Sequence, residues 1–128
     1  MPKIYIDFEI TSEVSNINLD SFFGVIGKSH KINDFSITGI KLDYSQWNYS
    51  FSELNTNEVN DVANLFFSDI LNKLNSLQKY CIENSALICI YFVIKNYNKD
   101  NDEIYLGLSR ENIKNFSLIN AEVRFDGF

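Results

Sequence analysis

Histidine is nearly absent from this chain. His30 is the single example among 128 residues, and no CxxC or HExxH spacing accompanies it, so a zinc site lacks ligands. Between Lys28 and Lys31, His30 reads as a solvated side chain. Cysteine is also scarce. Cys81 and Cys89 fall on different expected elements, where both read as buried small hydrophobes in a reducing compartment. The five glycines are scattered and make no Gly-rich loop, which leaves phosphate groups without a backbone cradle. Nor is there a long apolar run: Ala86 to Ile94 is the longest, too short to span a bilayer. The start, Met1-Pro2-Lys3-Ile4-Tyr5-Ile6-Asp7, enters a strand pattern with no signal-peptide features, so a cytoplasmic location is expected.

Basic charge is in short supply as well. Eleven Lys and Arg face seventeen Asp and Glu, for a net charge of −6. Nucleic-acid binding needs cations to displace phosphate counterions, so neither that class nor an anionic membrane fits the sign. The same charge keeps a small protein soluble and favours a basic partner.

Aromatic and aliphatic residues are plentiful, at 15% and within a hydrophobic total of 45%, enough to pack one core. In residues 3 to 12, Ile4, Ile6, Phe8 and Ile10 alternate with Tyr5, Asp7 and Glu9, the period of a strand with one buried and one wet face. Asn18 is placed to cap a short helix carrying Leu19, Phe22, Phe23 and Ile26, with Gly27 as its stop. Residues 28 to 41 read either as a ragged edge strand or as an ordered loop. Asp43 to Phe51 reads as a strand with Trp47, Tyr49 and Phe51 on its core side. From Glu58 to about Asn84 the apolar steps become three and four, the pattern of the main helix. Ala86 to Lys95 reads as a central strand, and Ile104 to Leu108 as a short strand completing a hairpin. Ser109 caps a second short helix through Phe116, and Ala121, Val123 and Phe125 mark a last strand. The expected fold is one α+β domain over residues 1–128. It has a single-layer antiparallel or mixed sheet of about four to five strands, with one long and two short helices.

Three constellations bear on chemistry. Asn96 to Asp102 carries oxygen ligands on alternate residues, but both calcium-loop registers misplace the required Gly and Glu. A solvated turn is the better reading. Asp7 with Glu9, and Glu122 with Asp126, project from the wet faces of their strands. Such pairs can do acid–base work when a pocket separates their pKa values, yet nothing in the sequence places a pocket there. Nucleophilic catalysis lacks a base beside either cysteine. No enzymatic activity, metal or cofactor is expected.

The assembled pattern resembles a bacterial family, the domain of unknown function forty-two seventy-nine. The resemblance rests on Ile4-Tyr5-Ile6-Asp7-Phe8-Glu9-Ile10, the short helix near Gly27, Trp47-x-Tyr49-Ser50, and the long helix. It continues through Ile90-Tyr91-Phe92, Tyr105-Leu106-Gly107-Leu108-Ser109 and Ala121-Glu122-Val123. The family implies no established activity and no catalytic residues. By class and charge the chain is also similar to immunity proteins, which neutralise a cognate toxin by binding it. The expectation is therefore a non-enzymatic protein binder whose partner is a basic toxin domain. Its candidate contacts are Tyr5, Asp7, Glu9, Glu122 and Asp126, with the acidic turn at Asp100, Asp102 and Glu103 as a second surface. The alternative is a small regulatory or ligand-binding domain acting as a homodimer or larger homo-oligomer through a sheet edge.

Overall fold

The structure, a computed structural model, describes residues 1–127. Its strands are β1 (Lys3–Ser12), β2 (Lys28–His30), β3 (Ser45–Asn55), β4 (Leu87–Lys95) and β5 (Glu122–Asp126). Its helices are α1 (Asp20–Phe23), α2 (Val59–Ile70), α3 (Leu74–Asn84) and α4 (Arg110–Leu118). A 3-10 turn, Leu71–Lys73, joins α2 to α3, so the long helical segment is continuous but locally tightened. The strands form one mixed sheet in the order β2-β3-β1-β4-β5. Every pairing is antiparallel except β4 with β5, whose parallel crossover runs through α4. The fold is α+β.

The alternation in β1 does what its period requires. Ile4, Ile6, Phe8 and Ile10 are fully buried while their neighbours are half-buried. Phe8 meets Phe23 of α1, Trp47 and Phe51 of β3 and Phe66 of α2 edge-on or tilted, so one ring ties three elements together. The helices cover this face of the sheet, and the other face stays open.

Trp47 is completely buried, and its indole N–H must find an acceptor there. It donates to Asp20 Oδ1 at 2.6 Å, and the same oxygen accepts from the Gly27 amide at 2.9 Å. These two bonds hold the Asp20 carboxyl below its usual value. Gly27 is thus not the helix stop. Gly24, at φ +70°, ends α1, and Gly27 is required because a Cβ would overlap the Trp47 ring. Nor is Asn18 the capping residue of α1: Leu19 takes that position, and Asn18 Oδ1 accepts from the Asp20 amide at 2.9 Å.

Three further expectations change. Ile104–Leu108 forms no strand: Tyr105 instead exchanges hydrogen bonds with the chain entering α2, through Asn57 O and the Val59 amide. Only β4's even-numbered side chains are deeply buried. Cys89, Tyr91 and Val93 face the open side, so Cys89 is half-buried rather than enclosed. His30 lies in β2, its ring edge-on to Tyr44 at 4.9 Å and its Nδ1 shielded from water, not free in solvent. Of residues 28 to 41, open in sequence between edge strand and ordered loop, Lys28–His30 is the edge strand β2 and the rest is an ordered connection to β3. The Ser109 cap is as expected, accepting from the Asn112 amide at 3.2 Å.

Candidate functional site

Because side chains alternate along each strand, cross-strand partners share a face, and register assembles the open side of the sheet. Glu9 stands opposite Asn48 on one side and Cys89 on the other, and Cys89 stands beside Glu122. Asp7 lies between Ser50 and Tyr91, with Arg124 beyond Tyr91. Tyr5 pairs with Val93, and Val93 with Asp126. Strands far apart in sequence thus bring Tyr5, Asp7, Glu9, Glu122 and Asp126 onto one surface. Asp100, Asp102 and Glu103 are not part of it. They sit on the loop between β4 and α4, where Asp102 accepts from the Asn98 amide at 2.8 Å and Glu103 accepts from the Tyr105 hydroxyl at 2.7 Å. Asp102 and Glu103 are thereby engaged in closing their own loop.

The open face is a charge mosaic rather than an acidic patch. Lys3, Lys28, Lys95 and Arg124 interleave with the carboxylates. Arg124 donates to Glu122 at 2.8 Å, and Lys95 Nζ lies 4.8 Å above the Tyr5 ring. Both arrangements are exposed enough for solvent to take most of their strength.

Asp7 differs from its neighbours. It lines a depression of about 490 Å³ with Tyr5, Ile26, Lys28, Asn48 and Ser50. Burial pushes its carboxyl above the usual value, and the Asn48 side chain and the Lys28 charge only partly oppose this. Its ionised form is therefore under-compensated in the isolated protein. Asp20, held low by two donors, shows the opposite environment for the same residue type.

Cys89 and Tyr91 occupy the middle of the face, two residues apart on the open side of β4. Burial raises the Cys89 thiol against the opposing pull of Tyr91, while the Cys89 side chain and then burial push Tyr91 up to about 12. A thiol shifted upward is a poor nucleophile at neutral pH. Cys81, buried in the core, is pushed up to about 11. Among the described residues, no group of three or more His, Cys, Asp or Glu is placed to hold a metal ion. The face offers hydrogen bonding, charge and aromatic contact area.

Lys28, Asn48, Cys89, Tyr91 and Arg124 belong to this surface but were not singled out by sequence. The signal for the β4 pair was present. Cys89, Tyr91 and Lys95 recur at period two within a run that looks uniformly apolar. For Lys28 and Asn48, only the β2–β3 register reveals the neighbourhood.

A family model covers residues 2–127. The chain belongs to the family Domain of unknown function (DUF4279). No curated protein and no solved structure matches it. The open sheet face of this DUF4279 chain extends over β1, β3, β4 and β5, strands that all fall within the matched span. No helix among the described residues is long and apolar enough to cross a membrane.

Proposed function

We propose that this chain is a non-enzymatic binding protein that engages a basic protein partner through the open face of its sheet. Its most concrete form is a cytoplasmic immunity protein that neutralises a toxin domain. The observation that carries the reading is Asp7. A carboxylate half-removed from water in a depression on an uncovered face is poorly compensated alone, and a cationic side chain from a partner would compensate it. Tyr5 provides amphipathic contact area beside it, while Glu9, Glu122 and Asp126 supply charge around the rim. The mosaic of Lys28, Lys95 and Arg124 contributes selectivity, since it repels partners whose cations are placed out of register.

Edge pairing fits less well. β2 is three residues long, and β5 presents Glu122, Arg124 and Asp126 along its edge, both common ways for sheets to resist strand addition.

The test is sequencing of the flanking genes and co-expression with any toxin domain they encode. Wild type should restore growth, and Asp7→Lys with Glu9→Lys should abolish the rescue while leaving the protein folded. Rescue by the double variant would exclude the sheet face, and a locus that encodes no toxin would count against neutralisation.

A further inference from the structure

Two opposite charges face the same depression without meeting. Asp7 on β1 stands opposite Ser50, and Lys28 on β2 stands opposite Asn48. Asn48 and Ser50 are alternate residues of β3, so this strand and its short polar side chains lie between the two charges. Two strand spacings, about 10 Å, separate β1 from β2. The ion pairs among the described residues join Lys3 to Glu53, Lys79 to Glu83 and Arg124 to Glu122. Asp7 and Lys28 are therefore in no ion pair, with each other or with a third group.

Each charge by itself favours a guest that the other refuses. A lone cation compensates Asp7 but meets Lys28 as a like charge. A lone anion compensates Lys28 but meets the Asp7 carboxylate, already half-removed from water. An ammonium and a carboxylate carried on one short chain satisfy both charges at once and bring no net charge to the face.

The rest of the depression fits such a molecule. Asn48 has an amide that both donates and accepts, and Ser50 presents an exposed hydroxyl. Ile26, 88% exposed, and the Tyr5 ring supply apolar surface for an aliphatic carbon frame. The volume of about 490 Å³ lies within the roughly 300–1,000 Å³ of small-molecule sites. Gly27, between Ile26 and Lys28, is pinned by its bond to Asp20 Oδ1 and by the Trp47 ring against it. The backbone that presents both lining residues is thus fixed before any guest arrives, which lowers the ordering cost of binding.

We propose that the depression bounded by Asp7 and Lys28 binds a small zwitterion, a free amino acid, with its ammonium at Asp7 and its carboxylate at Lys28. Asn48 and Ser50 bond to the polar groups between them, and Ile26 and Tyr5 cover the carbon frame. The site goes beyond the partner reading and is a property of the isolated chain. A bound amino acid and a partner's cation would exclude each other at Asp7.

NMR titration of the isotope-labelled full chain at neutral pH tests this. L-leucine and γ-aminobutyrate are the probes, with methylamine and acetate as single-charge controls. Saturable shifts centred on Asp7, Lys28, Asn48 and Ser50, with a Kd of about 1 mM or tighter, are expected from at least one zwitterion. Saturation by either supports the site, and the tighter of the two measures how far apart it holds the charges. Methylamine and acetate should each bind at least about tenfold more weakly. Asp7→Asn and Lys28→Gln should each weaken the zwitterion by at least about tenfold, because each removes one charge-assisted contact. Lys28 is exposed and Asp7→Asn preserves side-chain shape, so circular dichroism should report an unchanged fold. Failure of both zwitterions to saturate, equally tight binding of methylamine or acetate, or variants that bind like wild type would each overturn the proposal. None of these results bears on rescue from a toxin, which tests the partner reading separately.

Discussion

Asp7 and Gly27 show how single residues divide between binding and folding. The Asp7 carboxyl is shifted upward, so its contribution to stability is fully present below 3.8 and is lost as pH rises through the folded value. At neutral pH the charge therefore works against the fold. Asp7→Asn should melt at a higher temperature than wild type at neutral pH, and the difference should close as pH approaches 3.8. Thermal melts across that range check it; an Asn variant less stable at neutral pH would show that Lys28 and Asn48 outweigh burial. Gly27 belongs to folding alone. A methyl group there meets the enclosed Trp47 ring, which has no empty space to move into. Gly27→Ala should cost roughly 1–3 kcal/mol in chemical denaturation, the usual penalty for overpacking.

At the scale of elements, a polar clamp joins α4 to α2. Asn112 is buried, and its Nδ2 donates to Asn60 Oδ1 at 2.9 Å and to Asn64 Oδ1 at 2.8 Å. Asn60 Oδ1 also accepts from the Ser109 amide at 2.8 Å, so one oxygen fixes both the cap and the helix. Asn112→Ala would remove both bonds, leaving Asn60 Oδ1 with the Ser109 amide alone and exposed Asn64 to solvent. It should destabilise by about 1–2 kcal/mol, measured by urea unfolding, through loss of the two side-chain hydrogen bonds and of the packing of the buried Asn112. This clamp was invisible in sequence, where Asn60, Asn64 and Asn112 are ordinary polar residues of helical patterns. What was visible were the segments whose apolar period is clear: β1, the Val59–Asn84 helical segment and the Trp47 face of β3. Ile104–Leu108 misled because five alternating residues lack a defined neighbour, and Tyr105 bonds to the start of α2 instead. In β4 a run of apolar residues hid which side was open. Tyr5, Asp7, Glu9, Glu122 and Asp126 were legible as wet-side residues, but only strand order could put β1 and β5 on either side of β4.

For the whole molecule, the asymmetry of the sheet matters most, because all the helices pack on one side and leave a rigid charged surface on the other. The proposed partner would meet two kinds of carboxylate there. Glu122 and Asp126 are exposed on the edge strand, where they act at long range and are screened by salt. Asp7 sits half-buried in its depression, where its contribution comes only after contact. Charge at a rim mainly changes the association rate, whereas a desolvated charge pair mainly changes dissociation. Glu122→Gln with Asp126→Asn should therefore slow association with a purified toxin domain several-fold and flatten its salt dependence, leaving dissociation nearly unchanged. Asp7→Asn should do the reverse, speeding dissociation by about tenfold or more while association and its salt slope hold. Stopped-flow association and surface-plasmon dissociation at two ionic strengths separate these effects. If all three positions change the two rates in the same proportion, Asp7 does not occupy a distinct desolvated contact, and the depression is not where the partner's cation binds.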